Sequence, residues 1–196
     1  MRVVVSEFMS LDGVVQAPGG AEEDTSGGFR HGGWWIPYFD PAVMGPVIGE
    51  FADSCEALLQ GRRTYQVSAE AWPERGGDPF SDWINQAQKY VVSDTLTDAD
   101  ITWNPTAIIR PADLVAQVSA LREKPGGDIY VYGSMTLVRA LLAAGQVDEL
   151  ILMIGPLALG GGKPLFAADG EKRTFELISA ETAATGALVC RYRPIA

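Results

Sequence analysis

A strand-like run that ends in glycine is followed at once by two guanidinium groups. Residues 58–60 are Leu-Leu-Gln, and Gly61, Arg62, Arg63 and Thr64 come next. Glycine lets a backbone approach a ligand closely, arginine offers forked donors, and a helix that starts here would add free amide groups. This turn therefore has the chemistry of a phosphate site, although a solvated basic turn would have the same residues.

A second turn of the same kind follows residues 128–132, which also resemble a buried strand. It consists of Gly133, Ser134, Met135 and Thr136, and an amphipathic pattern begins at Leu137. Ser134 is predicted to cap that helix, so the amides behind it would suit a diphosphate. Neither turn has the spacing Gly-x-Gly-x-x-Gly, and so a Rossmann fingerprint is absent.

The remaining polar and aromatic candidates lie near the N-terminus. Asp12 follows the first strand-like run and could contact a substrate or donate a proton, although Asp-Gly is also a common turn. His31, Trp34 and Trp35, with Tyr38, could form a flat aromatic wall for a heterocycle, or could simply pack within a covering loop. One histidine and two distant cysteines give no metal-ligand spacing, so no metal is expected.

Strand and helix patterns alternate along most of the chain. Strand-like runs are predicted at residues 2–8, 57–60, 89–93, 106–110, 129–132 and 149–159, and helices at 79–88, around 114–121, from 137 to about 145, and after the cap Asp40-Pro41. Residues 17–40 are predicted as a long ordered loop. Residues 175–181 and 187–193 flank Thr185-Gly186 as an antiparallel hairpin. The chain is therefore expected to be one α/β domain over residues 1–196, with a mixed, mostly parallel sheet.

Composition restricts the partners and the compartment. The net charge is -10, which disfavours nucleic acid and anionic membranes as partners, so any phosphate site must be local. Only Cys55 and Cys190 are present, and the apolar run at the N-terminus is too short for a signal or spanning segment. A cytoplasmic protein is expected.

Five motifs in a fixed order carry a family resemblance. Residues 10–13, 61–65, 89–93, 126–134, and 147–150 with 156–166 resemble the reductase domain of the riboflavin-biosynthesis deaminase-reductase. The insertion at residues 31–35 is similar to a stand-alone, dihydrofolate-reductase-like branch, and no deaminase domain is present. The resemblance implies a three-layer fold with helices on both faces of the sheet, and it implies NADPH as the cofactor.

The resemblance also implies roles for individual residues. Arg62 and Arg63 would meet the 2'-phosphate or the diphosphate, and Thr64 the diphosphate. Ser93 and Asp94 would lie near the adenosine ribose. The turn from Gly133 to Thr136 would wrap the diphosphate and the nicotinamide side, while Gly160 and Gly161 would lie near the nicotinamide or the substrate.

The substrate is less defined than the cofactor. The leading expectation is an NADPH-dependent reductase that acts on a nitrogen heterocycle, such as 5-amino-6-(5-phosphoribosylamino)uracil. Folate reduction is disfavoured, because similarity to dihydrofolate reductase would place a pterin-binding carboxylate at about Met44 or Gly45, and neither residue is an acid. A non-catalytic nucleotide-binding protein is a further alternative. Relatives of this type are often homodimers, and the C-terminal hairpin could pair across a two-fold axis.

Overall fold

The computed structural model describes residues 1–195 and has a mixed α/β fold. Eight strands form one sheet in the order β4-β3-β2-β5-β1-β6-β8-β7. The strands are β1 Val3–Ser10, β2 Cys55–Gly61, β3 Gln88–Val92, β4 Thr106–Ile109, β5 Asp128–Tyr132, β6 Glu149–Gly155, β7 Thr174–Thr182 and β8 Leu188–Ile195. The helices are α1 Pro41–Ser54, α2 Arg62–Ala71, α3 Pro79–Gln86, α4 Leu114–Arg122 and α5 Met135–Ala143. No helix in residues 1–195 is both long enough and apolar enough to cross a membrane.

The chain divides into two compact units, and the first comprises Met1–Val5 and Val47–Asp148. In this unit β2 pairs in parallel with both β3 and β5, and β3 pairs in parallel with β4. Parallel strands are buried on both faces, which explains the apolar runs of β2 and β5. Fully buried Leu58, Leu59 and Ile129 belong to this core. Because β2, β3 and β5 are parallel, the turns that follow them leave the same edge of the sheet.

The second unit comprises residues 6–46 and 149–195, and in it β6, β7 and β8 pair in antiparallel fashion. Strand β8 pairs with β6 on one side and with β7 on the other. Gly186 lies in the β7–β8 turn with φ +85°, a conformation that glycine adopts without strain. The predicted C-terminal hairpin is thus confirmed, as is the mixed fold class. The assignment of one domain to residues 1–196 stays a prediction.

One predicted boundary was wrong and one was confirmed. Strand β6 was expected to continue to residue 159, but it ends at Gly155, because Pro156 lacks the amide that a ladder needs. The predicted start of α1 is confirmed, since Asp40 accepts a hydrogen bond from the Ala42 amide at 3.0 Å. Pro46 lies inside this helix.

A pair of glycine substitutions tests the packing of the first unit. A methyl group at Gly127 would lie 2.3 Å from the Ser54 carbonyl oxygen, whereas one at Gly49 in α1 would meet nothing within 4 Å. We expect Gly127→Ala to lower the free energy of unfolding by about 1–3 kcal/mol. Gly49→Ala should raise it by about 0.5–1 kcal/mol, because alanine loses less entropy in a helix. Urea unfolding measures both, and a neutral Gly127→Ala would contradict the packing.

Candidate functional site

The turn after β2 leads directly into α2, and no side chain caps the start of this helix. Gly61 occupies the position before α2 in an extended conformation, and α2 begins at Arg62. Arg62 and Arg63 are exposed, and the Arg62 guanidinium donates to the Gln66 side chain at 3.3 Å, one helical turn away. The N-terminus of α2 therefore combines free backbone amides, the positive end of the helix dipole and two guanidinium groups.

The turn after β5 differs from its prediction in one respect. Ser134 does precede α5, but its side chain makes no capping hydrogen bond, so the prediction that it caps the helix was wrong. It adopts a left-handed conformation with φ 63°, which non-glycine residues rarely do. Strain of this kind is typical of ligand-binding turns. The first amides of α5, including those of Met135 and Thr136, consequently lack a side-chain partner at the cap position.

The two turns are in direct contact. The Gly61 amide donates to the Ser134 hydroxyl at 2.7 Å, which explains why that hydroxyl does not cap α5. A methyl group at Gly61 would lie 3.3 Å from this same oxygen, and one at Gly133 would lie 3.2 Å from the Thr64 methyl carbon. Glycine is thus needed on both sides of the contact. The structure brings two uncapped helix N-termini together, and their dipoles reinforce each other's attraction for an anion.

Ser93 and Asp94 follow the neighbouring strand. Gly61 pairs with Val92 in the parallel β2–β3 register, so the turn after β3 starts beside the first turn. Ser93 is buried, and its hydroxyl accepts hydrogen bonds from the amides of Thr95 at 3.1 Å and Leu96 at 3.0 Å. Asp94 is exposed. Ser93 therefore shapes this turn, and a contact of either residue with a ribose stays a prediction.

In the second unit, Asp12 holds a glycine-rich loop. Its carboxylate accepts hydrogen bonds from the Ser10 hydroxyl at 2.6 Å and from the amides of Leu159 at 3.0 Å and Gly160 at 2.7 Å. The bond from Ser10, followed by that from Leu159, lowers the pKa of Asp12 to about 2. Asp12 is therefore ionised at neutral pH and unsuited to donate a proton there. Its predicted contact with a substrate stays a prediction.

The two tryptophans of the covering loop have different roles. The Trp34 indole nitrogen donates to the Gln16 carbonyl at 2.8 Å, while the buried Trp35 indole nitrogen has no hydrogen-bond partner among the described residues. Their ring planes meet at 88°, so these two rings do not form a flat wall, which agrees with the alternative of packing within a covering loop. Trp35 instead stacks on Phe8, with 4.7 Å between ring centroids. Its unpaired donor is a candidate contact for a ligand or a water molecule.

Sequence reasoning missed Gln16, which organises the same region. Its side chain is buried, donates to the carbonyls of Asp24 at 2.9 Å and Ser26 at 3.0 Å, and accepts from the Lys163 amide at 3.1 Å. The available signal was one amide side chain within the apolar run at residues 14–17. A buried amide needs several partners, so this signal could have indicated a junction of loops.

The sequence profile of the RibD C-terminal domain matches residues 1–189. The chain belongs to the RibD C-terminal domain family. It is also 26% identical, over 97% of its length and 94% of the relative, to the uncharacterized protein YyaP of Bacillus subtilis.

Solved structures show the same fold at low sequence identity. A proposed riboflavin biosynthesis protein from Shewanella sp. PV-4 has a TM-score of 0.73 and 19% identity, with both chains covered completely. The Thermotoga maritima diaminohydroxyphosphoribosylaminopyrimidine deaminase/5-amino-6-(5-phosphoribosylamino)uracil reductase gives 0.64 and 12%, with 99% of this chain matching 56% of that one. Dihydrofolate reductase from Enterococcus faecalis, complexed with NADP(H), gives 0.62 and 13%, covering 100% of this chain and 97% of that one. These likenesses establish a dihydrofolate-reductase-like fold.

Replacing Ser134 tests the contact between the two turns. Ser134→Ala removes the acceptor of the Gly61 amide and keeps the strained φ, so the free energy of unfolding should fall by about 0.5–1.5 kcal/mol. Ser134→Gly loses the same hydrogen bond but relieves the left-handed strain, so its free energy of unfolding should fall less than that of Ser134→Ala. Urea unfolding of both variants gives the comparison. An alanine variant at least as stable as the glycine variant would contradict the account.

Acid titration tests the role given to Asp12. The folded pKa is about 2, below the unfolded value of about 3.9. The ionised carboxylate therefore stabilises the fold fully above pH ~4 and progressively less as the pH falls towards ~2. Asp12→Asn keeps the shape without the charge, so its stability deficit should shrink across this window. A deficit independent of pH, measured by chemical unfolding, would show that the charge is unimportant.

Proposed function

We propose that this protein is an NADPH-dependent reductase of the riboflavin-biosynthesis reductase type, which reduces a nitrogen heterocycle of the 5-amino-6-(5-phosphoribosylamino)uracil class. The observation that carries the proposal is the contact between the turn from Gly61 to Thr64 and the turn from Gly133 to Thr136. Membership of the RibD C-terminal domain family supports the reductase class, as does the fold shared with reductases.

The residues at this contact fit a dinucleotide phosphate. A diphosphate needs several convergent N–H donors, which the two uncapped helix starts provide, and close backbone approach, which Gly61 and Gly133 permit. Arg62 and Arg63 are exposed at the start of α2, where a guanidinium can form paired hydrogen bonds to a 2'-phosphate. This set of donors favours NADPH over NADH.

The protein's own contribution would be position and electrostatics. NADPH supplies the hydride when it is bound, and the two turns would hold its phosphates while Ser93 and Asp94 lie beside the same edge of the sheet. The chain carries a net charge of -10, so attraction for the cofactor has to arise locally at Arg62, Arg63 and the two helix dipoles. On the substrate side, the unpaired Trp35 indole nitrogen is the strongest candidate for a donor to a heterocycle.

Titration with NADPH and NADH, followed by nicotinamide fluorescence, tests the proposal. Arg62→Ala and Arg63→Ala should each weaken NADPH binding by about tenfold to hundredfold, the value of a charge-assisted bond to phosphate, and should affect NADH much less. Arg75→Ala is the matched control, because Arg75 is an exposed arginine of the same unit that stacks on Trp72 after the end of α2. Equal losses of affinity for NADPH and NADH would show that Arg62 and Arg63 do not bind the 2'-phosphate. Absence of any nucleotide binding would overturn the proposal.

We also propose that the protein is cytoplasmic and forms a homodimer through its C-terminal hairpin. Cys55 and Cys190 are both free, as expected in a reducing compartment.

Four large apolar side chains are exposed on β7 and β8: Leu177, Ile178, Leu188 and Ile195. Leu177→Glu should shift sedimentation equilibrium from dimer towards monomer while Lys172→Glu leaves it unchanged. A wild-type monomer at micromolar concentration would contradict the dimer.

A further inference from the structure

Arg110 follows strand β4 at the edge of the sheet where the proposed cofactor turns lie. The last residues of β2, β3 and β4 are aligned in the parallel register. The residues that come next, Arg62, Ser93 and Arg110, therefore leave three adjacent strands at the same level. All three belong to the first unit. The family resemblance implies a cofactor contact for Arg62 and Ser93 but none for Arg110.

The Arg110 guanidinium is held across the turn that follows β3. Its Nη1 atom donates to the Ser93 carbonyl at 2.7 Å and to the Leu96 carbonyl at 2.9 Å. Because β3 lies between β4 and β2, the side chain leans from β4 towards β2. A side chain that is fixed in this way loses less rotational freedom on binding a ligand than a mobile one does. The two carbonyls thus position an exposed guanidinium in advance.

The carbonyl bonds leave one edge of the guanidinium open. A guanidinium has five N–H bonds, and the two on Nη1 face the two carbonyls. Nε and Nη2 form no hydrogen bond with any residue in the range 1–195. These two atoms make up a planar fork, which matches two oxygens of a phosphate. Arg110 therefore presents a complete fork to a ligand.

Arg110 has no carboxylate partner in the part of the chain that the structure describes. Asp94 is exposed on the neighbouring turn, but it forms no ion pair with Arg110. Five other arginines do pair with acidic side chains: Arg2, Arg122, Arg173, Arg191 and Arg193. In a chain of net charge -10, an arginine that is held by carbonyls and not by an acid keeps its charge for a ligand.

The position of Arg110 selects one phosphate of the cofactor. Neighbouring strands are spaced by about 4.8 Å, so the ends of β2 and β4 are separated by about 10 Å. The diphosphate is expected at the starts of α2 and α5, which follow β2 and β5. The strand order is β4-β3-β2-β5 and the nicotinamide side is expected at Gly133, so an extended nucleotide reaches β3 and β4 only with its adenosine end. The phosphate group at that end is the 2'-phosphate.

We propose that Arg110 is a specificity-determining residue, which binds the 2'-phosphate of NADPH through Nε and Nη2. The inference rests on the proposed function and adds to it a basic group from a third strand. Arg62 would contact the phosphate from the side of β2 and Arg110 from the side of β4, with the turn after β3 beneath it. A nucleotide without a 2'-phosphate would gain nothing from Arg110.

Isothermal titration calorimetry of the full chain with two adenosine nucleotides tests this contact. Adenosine 2',5'-bisphosphate carries the 2'-phosphate, and adenosine 5'-monophosphate lacks it. Arg110→Gln should weaken binding of the bisphosphate by about tenfold to hundredfold, the value of a charge-assisted contact, and should change binding of the monophosphate by less than about twofold. Arg75→Gln, at an exposed arginine beyond the end of α2, should leave both affinities unchanged.

Arg110→Lys separates the fork from the charge. Lysine keeps a positive charge but has no planar fork, so its loss of affinity for the bisphosphate should lie between those of wild type and Arg110→Gln. Equal losses for both nucleotides in Arg110→Gln would overturn the proposal, because Arg110 would then act only by shaping the turn through its carbonyl bonds. Unchanged affinity for the bisphosphate would overturn it as well.

Titration with NADPH and NADH distinguishes failure of this proposal from failure of the proposed function. If the wild-type protein binds NADPH and Arg110→Gln keeps the same preference for NADPH over NADH, only the role of Arg110 is overturned. If the wild-type protein binds neither nucleotide, both proposals are overturned.

Discussion

The hydrogen bond from the Gly61 amide to the Ser134 hydroxyl is the constraint on which the site in the first unit depends. It joins the ends of two parallel strands whose helices both start without side-chain caps. It also engages the Ser134 hydroxyl away from α5, at a residue whose φ of 63° is left-handed. Glycine is favoured on both sides, because a methyl group at Gly61 or Gly133 would lie 3.3 or 3.2 Å from a side chain of the opposite turn, closer than van der Waals contact. Local strain, close backbone approach and helix amides without side-chain caps thus meet at one contact, and together they form the proposed anion site.

The net charge of the chain makes any positive potential in the first unit a local property. A chain of net charge -10 does not attract phosphate by its overall field. The proposed cofactor site would therefore depend on Arg62, Arg63 and the two helix dipoles. In the second unit, acidic residues serve a structural role, since Asp12 accepts a hydrogen bond from the Gly160 amide and Asp24 pairs with the Lys163 ammonium.

The fold and the two turns could be predicted from the sequence, because each depends on local pattern. Apolar runs that end in glycine give strands and turns, and Asp40-Pro41 marks a helix start that the structure confirms. The Ser134 cap was predicted wrongly because local spacing cannot reveal that Gly61, 73 residues away in sequence, competes for the hydroxyl. Gln16 was missed for the same reason, since its partners in residues 24–26 and at Lys163 are brought to it only by tertiary loop contacts. The sequence left open whether Trp34 and Trp35 form a flat wall or pack within the loop, because ring planes are set by packing and not by the order of residues.

A crystal structure of the protein with NADPH bound tests the central claim most directly. The account predicts diphosphate oxygens within about 3 Å, hydrogen-bonding distance, of backbone amides at the starts of both α2 and α5. It also predicts that the bond between Gly61 and Ser134 is retained and that a guanidinium of Arg62 or Arg63 meets the 2'-phosphate. A nucleotide that binds elsewhere, or that contacts only one of the two helix starts, would contradict it.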